Sequence, residues 1–90
     1  MSVKIKIPAY MRSSTDNLEA VEVSGKTVGE CLGHLGRRFP GMKKRLFARS
    51  GDLFDNIIIS INGESAYPEP MAKPVREGDE LGIMMVIGGG

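Results

Sequence analysis

The residues that invite chemistry are the last three, Gly88-Gly89-Gly90. Glycine lacks Cβ, so three in succession can pass through a narrow slot and leave the final carboxylate unshielded. Fully extended, three residues reach about 10 Å. That is enough to carry the Gly90 carboxylate into a partner's pocket while the rest of the chain stays outside. The chemistry on offer is acyl activation, since a carboxylate is a poor electrophile until a good leaving group is attached to it. A frayed Gly-rich end has the same composition, so the tail acquires meaning only from the elements that carry it.

The side chains offer little catalytic machinery beside it. One cysteine, Cys31, and one histidine, His34, cannot make an internal disulfide or a closed zinc site. Cys31 falls on the apolar stripe of a predicted helix and reads as a buried thiol. His34 has no partner cluster and reads as a solvated helix residue.

Composition narrows the setting. Twelve Lys plus Arg oppose eleven Asp plus Glu in 90 residues, so there is no global field to attract nucleic acid or an anionic membrane. A local basic run, Arg37, Arg38, Lys43, Lys44, Arg45 and Arg49, contains no acid between its ends. It is either a solvated helix end whose cations oppose the C-terminal dipole or a docking surface for an acidic partner face; without aromatic interleaving it does not read as a nucleic-acid site. The N-terminus alternates charged and apolar residues, and no run approaches the roughly 18 apolar residues of a membrane span. With a single cysteine, this predicts a cytoplasmic chain.

The elements that must position the tail are legible in the periodicity. Val3, Ile5 and Ile7 alternate with Lys4 and Lys6, predicting a half-buried strand that Pro8 closes. After the polar stretch 12–17, residues 18–23 predict a second strand, paired with the first through a loose loop. Thr27 and Glu30 form a Thr-x-x-Glu capping box, so a helix starts at Thr27. Val28, Cys31, Leu32 and Leu35 make its buried stripe, Phe39 extends it, and Pro40-Gly41 ends it. Gly29, Gly33 and Gly36 form a smooth second stripe. Each costs about 1 kcal/mol against alanine, and either close approach of backbone or partner, or a tolerated defect, accounts for them.

Residues 42–55 read as irregular, with at most a short helical turn through Lys44-Arg45-Leu46-Phe47. The apolar run Asn56 to Ile61 predicts a strand covered on both sides or interior to a sheet. Asn62-Gly63 is a type I′ hairpin signal leading to a short strand around Glu64 to Tyr67. A turn at Arg76-Glu77-Gly78-Asp79 then opens the last strand, Glu80 to Ile87. The order, strand, strand, helix, loop, strand, short strand, strand, predicts an α+β roll: a mixed four- to five-stranded sheet with one main helix across it. Residues 1–87 make the domain and 88–90 a flexible tail.

Over nearly its whole length the chain resembles the MoaD/ThiS sulfur-carrier family, whose fold is the ubiquitin-like β-grasp. The resemblance rests on Ile5-Lys6-Ile7-Pro8 with Arg12 following, Thr27-Val28-Gly29, Ile61-Asn62-Gly63-Glu64, Glu77-Gly78-Asp79-Glu80-Leu81 and terminal Gly89-Gly90. It implies a carrier that binds no cofactor or metal, is not itself an enzyme and is monomeric when free: an E1-like enzyme uses ATP to adenylate Gly90, after which sulfur displaces AMP to leave a thiocarboxylate. It also implies that Gly88 and Gly89 thread into partner active sites, and that Met84, with Pro8 on the matching outward face, meets the activating enzyme. Many molybdopterin-branch members have two prolines in place of Met85-Val86 and another residue in place of Gly88. The longer 42–55 segment looks more like carriers that serve a cysteine-synthase-like acceptor than like partners of the molybdopterin synthase large subunit. Modification of lysines through an isopeptide bond from Gly90 is the remaining use that such a tail allows.

Overall fold

A computed structural model describes residues 2–86. Strand β1, Ser2–Lys6, gives way at Pro8 to a 3-10 helix, Ala9–Ser14, and β2 follows at Ala20–Ser24. Helix α1 is Val28–Arg38, α2 is Pro40–Leu46, and strands β3, β4 and β5 are Ile57–Ile61, Glu64–Ser65 and Glu80–Met85. The five strands lie in the order β2-β1-β5-β3-β4. β1 and β5 are parallel, and the other neighbours are antiparallel. This is the β-grasp arrangement that the element order predicts, and it makes β5, the strand that leads to the tail, the centre of the sheet.

The period-two strands and the α1 stripe meet in one core. Val3, Ile5, Val21, Val23, Ile57, Ile59, Leu81 and Ile83 face it from the sheet, and Val28, Cys31, Leu32 and Leu35 face it from α1. A fully buried Leu or Ile contributes about 1.5–3 kcal/mol, so this shared face holds the helix on the sheet. The capping box is present: the Thr27 hydroxyl accepts the Glu30 N–H at 3.1 Å. The Glu30 carboxylate reaches one residue further back than the usual pattern, accepting from the Lys26 N–H at 3.0 Å. At the Asn62-Gly63 turn, φ values of 51° and 87° match the type I′ hairpin.

The structure corrects the sequence reading in two places and decides between its alternatives in a third. Residues 42–55 are not simply irregular, because α2 begins at Pro40, which occupies its first turn, and buries Met42 and Leu46. The same proline that stops α1 is pre-set for the first position of the next helix, where its missing N–H costs nothing. The loop expected after Pro8 opens with the 3-10 helix, which takes in the first half of the polar stretch 12–17, and the reversal is made by Asp16 and Asn17 at positive φ. Finally, β3 is interior to the sheet but open on one face, where Ile58 is 37% exposed.

The glycine stripe on α1 divides by cause. A Cβ on Gly29 would stand 2.9 Å from the Met71 carbonyl oxygen, and one on Gly36 would stand 3.2 Å from Lys43 Cβ. Both sites are filled by the fold itself. A Cβ on Gly33 would meet only the end of Arg37, at 3.5 Å. Gly33→Ala is therefore expected to stabilise the chain by up to about 1 kcal/mol through helix propensity, and Gly29→Ala to destabilise it. Thermal unfolding of the two variants should move in opposite directions; a shift of the same sign in both would refute this division.

Candidate docking face and tail root

Alternation along the strands puts one set of side chains in the core and the other on an open sheet face. On β5 the outward residues are Glu80, Gly82 and Met84, and Met84 is 62% exposed. Ile58 on β3 stands directly opposite it, and Val86 is also exposed. Adjacent Met85 is partly buried against the core, so the Met84-Met85 pair divides between the two faces. Pro8 is half-buried at the end of β1. With Lys6, Ser60 and Gly82 it lines a hollow of about 360 Å³ on the same face. Gly82 keeps that hollow open, since a Cβ there would stand 2.5 Å from the Ser60 hydroxyl. Met84, Ile58 and Val86 thus form an apolar strip toward the exit of β5, beside a notch that reaches back to Glu80 and Gly63 at the start of that strand.

The entrance to β5 is fixed by a network that the sequence did not disclose. The Asn62 side-chain Nδ2 donates to Asp79 at 2.9 Å, the Arg76 N–H donates to the other Asp79 oxygen at 2.8 Å, and the Glu80 N–H donates to Asn62 Oδ1 at 2.9 Å. The Asn62 donor first, and the Arg76 N–H second, hold the Asp79 carboxyl below its ordinary pKa. The hairpin turn and the turn into β5 are thereby tied together.

The exit of β5 is held from two sides. The Val86 N–H donates to the Asn56 carbonyl at 2.7 Å, and the Met85 N–H donates to the Tyr10 hydroxyl at 2.8 Å. No spacing rule singles out Tyr10, which lies in a stretch that reads only as a loop. Gly88, Gly89 and Gly90 lie outside the described residues.

The remaining candidates have structural places. Cys31 is fully buried on the α1 stripe, and burial, with the neighbouring Glu30 charge second, pushes its thiol pKa up. His34 is not simply solvated: its Nδ1 accepts the Ser24 N–H at 3.0 Å. In the basic run, Arg38 donates to the Glu22 carbonyl at 3.0 Å and lies over the Phe39 ring at 5.3 Å. Arg45 donates to the Ser14 hydroxyl at 2.8 Å. Those two arginines fasten the helices to their surroundings. Among the described residues there is no group of three or more His, Cys, Asp or Glu placed to hold a metal. No helix there is long and apolar enough to cross a membrane.

This sheet order and helix crossing define a ubiquitin-like β-grasp protein, and solved structures superpose closely on it. The Amycolatopsis orientalis BexX/CysO complex contains a chain with a TM-score of 0.86 and 30% identity, covering 98% of this chain and 99% of that one. SAMP1 from Haloferax volcanii matches with a TM-score of 0.85 and 29% identity over the whole of both chains. Within that class, the ThiS family model matches residues 5–90, and the chain belongs to the ThiS family. By sequence it is 29% identical to the sulfur carrier protein CysO of Mycobacterium tuberculosis over the full length of both. It is 35% identical to small archaeal modifier protein 1 of Haloferax volcanii over 78% of each.

Proposed function

We propose that this chain is a sulfur carrier whose Gly90 is adenylated by an E1-like enzyme and converted to a thiocarboxylate. The observation that carries the reading is the family match, which runs to residue 90 and so includes the glycine tail along with the fold. Full-length similarity to a protein named as a sulfur carrier supports it. In the reaction, one carboxylate oxygen of Gly90 attacks the α-phosphorus of ATP, and pyrophosphate leaves. A sulfur nucleophile then adds to the acyl carbon, and AMP departs with the bonding electron pair. The chain supplies the carboxylate, the reach and a docking face; the activating enzyme supplies ATP and the catalytic side chains. The thiocarboxylate sulfur is then a nucleophile for an acceptor enzyme, and the cysteine-synthase-like class suits the α2 segment better than molybdopterin synthase does. The carrier works in the cytoplasm and is monomeric between encounters.

Similarity to a protein named as a modifier favours one second reading, attachment of Gly90 to a target lysine through an isopeptide bond. One experiment separates the two: intact mass spectrometry after incubation with the host's E1-like enzyme, ATP and a sulfide source, beside a chain lacking Gly90. A mass gain equal to sulfur replacing oxygen, absent from the truncated chain, is the expected result. Lysine conjugates without that gain would replace sulfur carriage with protein modification.

A further inference from the structure

We propose that Tyr10 is a positioning residue that clamps the root of the tail, taking the place of a ladder rung that β1 cannot provide. β1 and β5 pair from Lys4 opposite Glu80 to Lys6 opposite Gly82. The Lys4 N–H donates to the Asp79 carbonyl, so the odd-numbered residues of β5 turn their backbone groups toward β1. Beyond Lys6 that edge loses its partner, because the chain turns away into the 3-10 helix, where the Pro8 carbonyl accepts from the Met11 N–H. The Met85 N–H therefore points where β1 has gone. The Tyr10 hydroxyl stands there and accepts it at 2.8 Å.

Tyr10 is itself held in place. Its carbonyl accepts from Arg45 Nη1 at 3.5 Å, and Arg45 Nε donates to Ser14 at 2.8 Å. With the Val86–Asn56 bond on the opposite edge, the strand is gripped on both sides up to the last described residue. This role rests on the carrier reading. A tail that must enter a partner's slot loses conformational freedom on docking, and a root already fixed in direction has less to lose. Loosening the root lowers the fraction of chains ready to dock, which raises the apparent dissociation constant without touching the bond-making step.

The test compares wild type, Tyr10→Phe and, as a control destabilised far from the tail, Gly29→Ala. The measurements are ATP–pyrophosphate exchange with the E1-like enzyme and amide hydrogen exchange. Tyr10→Phe is expected to speed exchange at Met85 by about tenfold. It is also expected to raise KM about three- to tenfold with kcat unchanged, while Gly29→Ala leaves KM alone. Unaltered Met85 exchange, an unaltered KM, or an equal rise in KM for Gly29→Ala would overturn the role of Tyr10. A wild-type chain that the enzyme does not activate would sink the carrier reading and this role together. Activation of wild type with no KM change in Tyr10→Phe would sink Tyr10 alone.

Discussion

A Leu81→Ala chain is expected to unfold at a much lower urea concentration than wild type, having lost about 2–5 kcal/mol. Leu81 is fully buried on the central strand, opposite Ile5 of β1 and Ile61 of β3. Its side chain therefore meets the core with a strand on each side, and neighbouring side chains cannot collapse into the gap without moving the sheet. A domain of this length has a total stability of roughly 5–13 kcal/mol, so the loss removes a large fraction of it. The denaturation midpoint should fall with an unchanged slope, the mark of lost stability without a change in the surface exposed. A loss below about 1 kcal/mol would mean that the core repacks around the missing atoms, contrary to the packing described here.

The features legible in the sequence are those fixed by neighbours in the chain. Thr27 and Glu30 announce a helix start because capping is settled within four residues, and Asn62-Gly63 announces its turn because both positions adopt positive φ locally. The alternation of β1 and the stripe of α1 are equally local patterns, and together they yield the core. Pro40 misleads because the same fixed φ both stops one helix and opens another. Only the burial of Met42 and Leu46 decides which of these follows.

The Ser24–His34, Asn62–Asp79 and Tyr10–Met85 bonds join residues 10 to 75 positions apart. No spacing pattern encodes such contacts before the topology is known. The glycine stripe needed the structure for another reason: what opposes Gly29 is the Met71 backbone, from a 3-10 helix distant in sequence, whereas Gly33 meets only the flexible end of Arg37. The candidate site was legible in part. Outward-facing Met84 follows from strand alternation, but the notch beside it depends on Gly82, Ser60 and Pro8 meeting from three strands or their ends. The Gly90 chemistry came from the tail's composition and from resemblance.

Met84→Asp should produce the opposite phenotype to Leu81→Ala, although the two residues are three apart on one strand. Met84 is 62% exposed and makes no core contact that its loss would empty, so its replacement leaves the folded state nearly as stable as before. Surface substitutions of this kind fall within about 0.5 kcal/mol. On the open face, however, Met84 and Ile58 form an apolar pair beside the Gly82 notch, the arrangement expected of an anchor that a partner buries. Methionine suits that position because its flexible thioether repacks against different surfaces. Truncating a central anchor costs about 2 kcal/mol or more of binding, and aspartate adds a charge that the partner must desolvate without a counterion. Half-saturation with the E1-like enzyme should therefore need about 30- to 100-fold more carrier, while the urea midpoint stays near that of wild type. A normal KM for Met84→Asp would show that the activating enzyme docks elsewhere, and the open face would lose its assignment even if Gly90 is the residue modified.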